Sequence, residues 1–226
     1  MGYNISTTII ENLDKIQDDR FILDKLGLSH FVYIGKTIHS ESTRPLDDSL
    51  SVAFYKNYIL INDDFRFTES IYSIEQSDIE SKMIDLFPKS KILNVCCISS
   101  NGFQAFHLIK NGKRLRYKTT GDNYGFSEKF NPLLEYGLIP NEEKTIFNLT
   151  DSDFVNGITK CIMGFELENE EDIFSIQFNK FQSEDYEKYE DWENEDIDDI
   201  IFNNNAASID SEKREFTIKK WWQFWR

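Results

Sequence analysis

With three cysteines, three histidines and four prolines in 226 residues, the chain is short of the residues that announce most recognisable chemistries. Cys96 and Cys97 are adjacent and Cys161 stands far from both, so there is no CxxC and no Cys/His spacing suited to zinc. An odd cysteine count also excludes a fully paired disulfide framework and points to a reducing compartment. His30, His39 and His107 lie outside any HExxH, GxSxG or metal-ligand spacing. The glycine-bearing loop from Thr119 to Gly125 lacks both the spacing and the Lys-Ser/Thr of a phosphate-binding loop. No stretch approaches the roughly 18 to 20 apolar residues of a membrane span, and no basic segment followed by an apolar run opens the chain. The expectation is a cytoplasmic protein with no catalytic, cofactor-binding or metal-ligating residue to nominate. Asp63-Asp64 is a place where neighbouring acids invite a cation, although such pairs are commonplace among 40 carboxylates.

What the chain does hold is negative charge, and it is unevenly placed. The formal net charge is -15, and the sixteen residues from Glu184 to Asp199 carry ten carboxylates against one cation, Lys188. Such a run repels nucleic acid phosphates and anionic membranes, and it attracts a basic surface by raising encounter rates and disfavouring wrong partners. Tyr186, Tyr189, Trp192, Ile197 and Ile200 interleave with it, so it is not a purely acidic tail. Tyrosine and tryptophan dominate binding hot spots. The expected partner-binding residues are therefore Glu184, Asp185, Tyr186, Glu187, Tyr189, Glu190, Asp191, Trp192, Glu193, Glu195 and Asp196, with the aromatics as anchors. The bland alternative is a helix with an ordinary charged face. The chain then closes on Lys219-Lys220-Trp221-Trp222-Gln223-Phe224-Trp225-Arg226. Those aromatics either dock on the domain or lie in a membrane interface, and the anionic leaflet's repulsion of so acidic a protein favours docking.

Nineteen Phe and ten Tyr argue for a packed core. Between Ile92 and Thr119, Asn101-Gly102 and Asn111-Gly112 separate apolar runs as two type I′ turns, predicting a three-stranded meander. Two-residue turns would set Cys97 opposite Phe106, Val95 opposite Leu108, Leu108 opposite Leu115 and Phe106 opposite Tyr117. Leu93, Val95, Cys97, Phe106, Leu108, Leu115 and Tyr117 would then share one apolar face. The other face would hold His107, Arg114, Arg116 and Lys118 as a basic stripe, solvated or neutralising the protein's own acids. Lys56-Asn57 predicts another hairpin, with Val52 facing Ile61 and Phe54 facing Ile59. His30–Ile38 and Ile173–Phe181 read as strands, and the first ten residues as strand or helix.

Capping boxes at Ser77 with Glu80 and at Thr150 with Asp153 predict two helices. The first ends at Pro88. The second carries Phe154, Ile158, Cys161, Ile162 and Phe165 on one stripe, where a buried thiol is inert. A further helix is expected within Asn12–Leu26. The reading is an α+β domain over residues 1–182, with a mainly antiparallel sheet packed by amphipathic helices. An acidic segment, linker and Trp-rich terminus over residues 183–226 form an appendage.

Asn94 to Phe103, the late amphipathic helix ending at Gly164-Phe165 and the Trp-rich basic ending resemble small uncharacterised bacterial proteins of the toxin-immunity type. The resemblance implies a compact, acidic, cytoplasmic protein that plugs a toxin's active site or blocks its access to substrate. The expected partner is a basic protein such as that toxin, with no nucleic acid or cofactor involved and with a membrane disfavoured. A small hydrolase or ligand-binding domain with a non-contiguous site, or a peripheral membrane or scaffold protein held by Trp221–Arg226, are the alternatives. A convergent polar pocket would mark the first and liposome binding the second.

Overall fold

A computed structural model describes residues 4–43, 48–65, 67, 76–100, 102–121, 135–169 and 171–184. The strands are β1 (Asn4–Glu11), β2 (Phe31–Ile38), β3 (Ser49–Tyr55), β4 (Tyr58–Asp63), β5 (Lys91–Ile98), β6 (Phe103–Lys110), β7 (Lys113–Thr120), β8 (Glu135–Tyr136) and β9 (Gln177–Ser183). They form one nine-stranded sheet in the order β2-β9-β3-β4-β1-β5-β6-β7-β8, and every pairing is antiparallel. The helices are α1 (Asp19–Leu26), α2 (His39–Ser42), α3 (Asp78–Leu86), α4 (Asn141–Ile146), α5 (Asp151–Met163) and α6 (Glu171–Phe174). The fold is α+β.

Each face of the sheet has its own core. On one, Ile22, Leu23 and Leu26 of α1 and Met83 of α3 pack with Ile10, Ile59, Ile61, Ile92, Ala105 and Ile109. On the other, Phe154, Val155, Ile158 and Ile162 of α5 pack with Ile5, Ile9, Leu60, Leu93, Val95, Phe106 and Leu108. This accounts for β1: it is central and covered on both sides, so Ile5, Ile9 and Ile10 are all fully buried and no alternation survives in its sequence.

Turn chemistry sets part of the register. Asn111 and Gly112 both have positive φ, at 52° and 69°, as a type I′ turn demands, and Lys110 pairs Lys113 across them. Tyr55 pairs Tyr58 across Lys56-Asn57, with Val52 opposite Ile61 and Phe54 opposite Ile59 as the sequence predicts. The first of the Asn-Gly turns behaves otherwise. Ile98 pairs Phe103, so the connection is four residues long and the partners move by two: Cys97 faces Gln104 and Val95 faces Phe106. A slip of two preserves the face of every side chain, so Cys97, Val95 and Phe106 still share one core.

A second departure is larger in consequence. Ile109 pairs Arg114 but Leu108 pairs Arg116, leaving Leu115 as the extra residue of a bulge. Beyond it the alternation of β7 inverts. Tyr117 enters the core containing α1 and α3, opposite His107, and Leu115 is 40% exposed. The expected single face of Leu115 and Tyr117 with Phe106 and Leu108 therefore does not form.

The helices correct five further expectations. Ser77 caps α3 by accepting from the Glu80 N–H at 3.2 Å, but the Glu80 carboxylate turns inward to Arg114 rather than back to the cap. Thr150 precedes α5 without a side-chain capping bond. Within Asn12–Leu26 only Asp19–Leu26 is helical, started by Asp18, whose carboxylate accepts from the Phe21 N–H. Glu171–Phe174 is a short helix, so β9 begins only at Gln177. On α5 the apolar stripe is buried except for Cys161, which is exposed.

Candidate functional site

Glu184 is the one expected partner-binding residue that the structure describes. Its N–H donates to the His30 carbonyl at 3.0 Å where β9 ends, beside the start of β2. Asp185, Tyr186, Glu187, Tyr189, Glu190, Asp191, Trp192, Glu193, Glu195 and Asp196 lie outside the described residues, as do Asn203–Asn205 and Trp221–Arg226.

The two arginines of the basic stripe make internal ion pairs on opposite faces of the sheet, separated by the Leu115 bulge, while Lys118 reaches the exposed Glu135 at 3.5 Å. Arg114 points to the α3 side and grips Glu80 with Nε and Nη2, the Nε bond measuring 3.0 Å. Arg116 points to the other side and grips Glu143 of α4 in the same two-pronged way, its Nε bond measuring 2.7 Å. Both carboxylates are buried, Glu80 entirely. Paired forks of this kind satisfy a carboxylate that would otherwise be costly to bury. The stripe thus serves the fold, leaving no free cationic surface at Arg114 or Arg116.

His107 belongs to the first of these clusters. It lies on β6 opposite Tyr117 and Asn94, with its ring edge-on to Tyr117 at 5.7 Å. Its Nε2 is 3.7 Å from Glu80 Oε1, within ion-pair reach. Yet burial, then the neighbouring Arg114 charge, push its pKa down to about 3. Glu80 is already neutralised by Arg114 and the imidazole is shut away from water, so His107 stays neutral and the contact is not an ion pair.

His39, at the start of α2, bonds Glu168 through Nε2 at 2.8 Å while its ring packs between Phe174 and Phe178. Its side chain is 1% exposed, too enclosed to meet a substrate. Nearby, Thr7 Oγ1 donates to Asn62, and Asn62 Nδ2 donates to Ser42 Oγ, tying β1 and β4 to α2. Asp63 accepts from Ser6 Oγ at 2.7 Å and from the Phe67 N–H at 2.8 Å, and Asp64 accepts from the Asp48 N–H. These acids hold backbone and hydroxyl donors, which is a structural use of Asp63-Asp64. Among the described residues no group of three His, Cys, Asp or Glu is placed to hold a metal, and no helix is long and apolar enough to cross a membrane. The Cys97 thiol is buried and its pKa pushed up to about 12, first by that burial, which suits an inert core residue.

One exposed feature stands out. Among the described residues β2 ends the sheet with β9 beside it, and Val32, Tyr33, Ile34 and Ile38 along it are 37 to 55% exposed. Ile34 is the unpaired residue of a bulge, since Tyr33 pairs Phe181 and Gly35 pairs Lys180. Thr37 Oγ1 donates to the exposed Glu41 carboxylate at 3.0 Å near one end of the strand, and exposed Glu184 sits at the other. The sequence signal for this edge was the apolar run Phe31-Val32-Tyr33-Ile34, which reads equally well as a buried strand.

No family model, no curated protein and no solved structure matches the chain.

Proposed function

We propose that the protein is an inhibitory protein-binding module of the immunity type, acting in the cytoplasm by occluding a basic toxin or enzyme. In this reading residues 1–182 are a domain built around the β5–β7 meander, and residues 183–226 are its acidic appendage. Glu184, Asp185, Glu187, Glu190, Asp191, Glu193, Glu195 and Asp196 steer and select a basic surface, and Tyr186, Tyr189 and Trp192 anchor it. The observation that carries the reading is the concentration of ten carboxylates in the sixteen residues from Glu184 to Asp199. The internal use of Arg114 and Arg116 supports it, because those cations are committed to Glu80 and Glu143.

The test is recovery of the native partner by the intact chain and by a chain lacking residues 184–199, with circular dichroism confirming that both fold. The expected result is a basic protein retained by the first and lost by the second. Equal recovery by both folded forms would overturn the assignment.

A further inference from the structure

We propose that the protein holds an internal water beneath α2, bridging His39 Nδ1 and Ser51 Oγ and joining α2 to β3. The site is independent of the partner reading.

The sheet face that carries α5 is apolar except for one polar layer. Thr7 on β1, Asn62 on β4, Ser51 on β3 and both His39 and Ser42 on α2 are each no more than 1% exposed, so bulk solvent cannot serve their polar atoms. Most of those atoms are served from within. Thr7 Oγ1 donates to Asn62 Oδ1 at 2.7 Å, Asn62 Nδ2 donates to Ser42 Oγ at 2.6 Å, and Ser42 Oγ donates to the His39 carbonyl at 2.8 Å. His39 Nε2 meets Glu168 Oε1 at 2.8 Å. His39 Nδ1 and Ser51 Oγ are different: both are buried and neither has a hydrogen-bond partner among the described residues.

The register sets these two atoms in one neighbourhood. Ser51 pairs Asn62, so its hydroxyl lies next to the amide that holds Ser42. His39 stands three residues before Ser42 on α2, and residues three apart on a helix share a face. On the other flank Ser51 pairs Lys180 of β9, and Phe178, two residues along on the same face, packs against the His39 ring at 5.8 Å. Asn62 and Phe178 thus bracket one place between α2 and β3 from its two sides.

The chemistry of the two atoms selects the occupant. They do not bond each other directly. An imidazole nitrogen donates or accepts according to its tautomer, and a hydroxyl does so according to its rotor. Water can donate or accept and so matches either setting. A metal ion does not fit, because the nearby Glu168 carboxylate is engaged by His39 Nε2 and no group of three ligands comes together among the described residues. Buried polar groups that protein does not match are ordinarily matched by internal water. The bridge completes a path from α5 to the sheet: Asn156 accepts from the Glu168 N–H at 2.7 Å, Glu168 holds His39, and His39 reaches Ser51 through the water.

The test is a crystal structure of the full chain at a resolution that shows ordered water, with water-oxygen magnetic relaxation dispersion on the native protein and on S51V. The valine side chain takes the place of the hydroxyl and neither donates nor accepts. The expected result is one water within hydrogen-bonding distance of both His39 Nδ1 and Ser51 Oγ, and one fewer long-lived water in S51V, with circular dichroism confirming its fold. A direct bond between the two atoms, another protein group bonded to Nδ1, an ion in the water's place or a dry contact would overturn the proposal. An equal number of long-lived waters in the two folded proteins would overturn it as well. Should S51V fail to fold, the native crystal structure decides alone, by the presence or absence of the bridging water.

Discussion

Replacing Arg114 by methionine is expected to destabilise the domain by about 3–5 kcal/mol, the range for breaking a buried ion pair from one side. The arginine is the principal charge partner of Glu80, which is wholly buried on α3 beneath the sheet. Removing it strands a carboxylate away from water, and the loss of α3's anchor to β7 loosens the helix that also supplies Met83 to the core. The effect belongs to the pair and not to the arginine alone. The double variant E80L/R114M removes both charges and should recover much of the loss, giving a coupling far from additive. Urea unfolding of the single and double variants measures this directly. A double variant as unstable as the two losses summed would show that Glu80 and Arg114 act separately.

Acidification should destabilise the protein through His107 well before general carboxylate protonation is complete. Its folded pKa is pushed down to about 3 by burial and then by Arg114, whereas an exposed histidine in the unfolded chain titrates near 6.5. Between those values the unfolded state holds one proton more than the folded state, so stability falls as pH falls. The contribution is complete above about pH 6.5 and is withdrawn toward pH 3, with a limiting slope of about 1.4 kcal/mol per pH unit. A H107Q variant should lose this part of the pH dependence while keeping an amide of similar reach. Stability curves of native and variant protein from pH 7 to pH 4 are the check, and parallel curves would exclude His107 as the source.

Both effects come from a cluster that one-dimensional reading could not assemble. Glu80 is visible in the sequence as the third residue after a helix cap, a surface role, and Arg114 and Arg116 as one stripe on a strand. The Leu115 bulge sends the two arginines to opposite faces, and a bulge leaves no periodic trace in so short a strand. Glu80 lies 34 positions from Arg114, so its partner is chosen by sheet packing and not by local spacing. Where local chemistry dominates, the sequence was legible: Asn111-Gly112 forces its positive φ values, and Lys56-Asn57 closes a two-residue turn with the expected partners. Between β5 and β6 the ladder ends at Ile98 and Phe103, two positions from the predicted register, yet that two-residue slip kept the apolar face intact. The candidate binding segment was legible as charge interleaved with aromatic residues. Apart from Glu184 it falls outside the described residues, and the β2 edge beside that residue was hidden in an apolar run indistinguishable from a buried strand.

The central claim is that the acidic run recognises a basic protein by charge. Its most direct test is the dissociation constant for the recovered partner across a salt series, for the native chain and for one with the ten carboxylates from Glu184 to Asp199 changed to their amides. The account predicts that native affinity falls steeply as salt screens the contact, and that the amide form binds at least tenfold more weakly at low salt with little salt dependence left. Equal affinity and equal salt dependence in the two forms would contradict it.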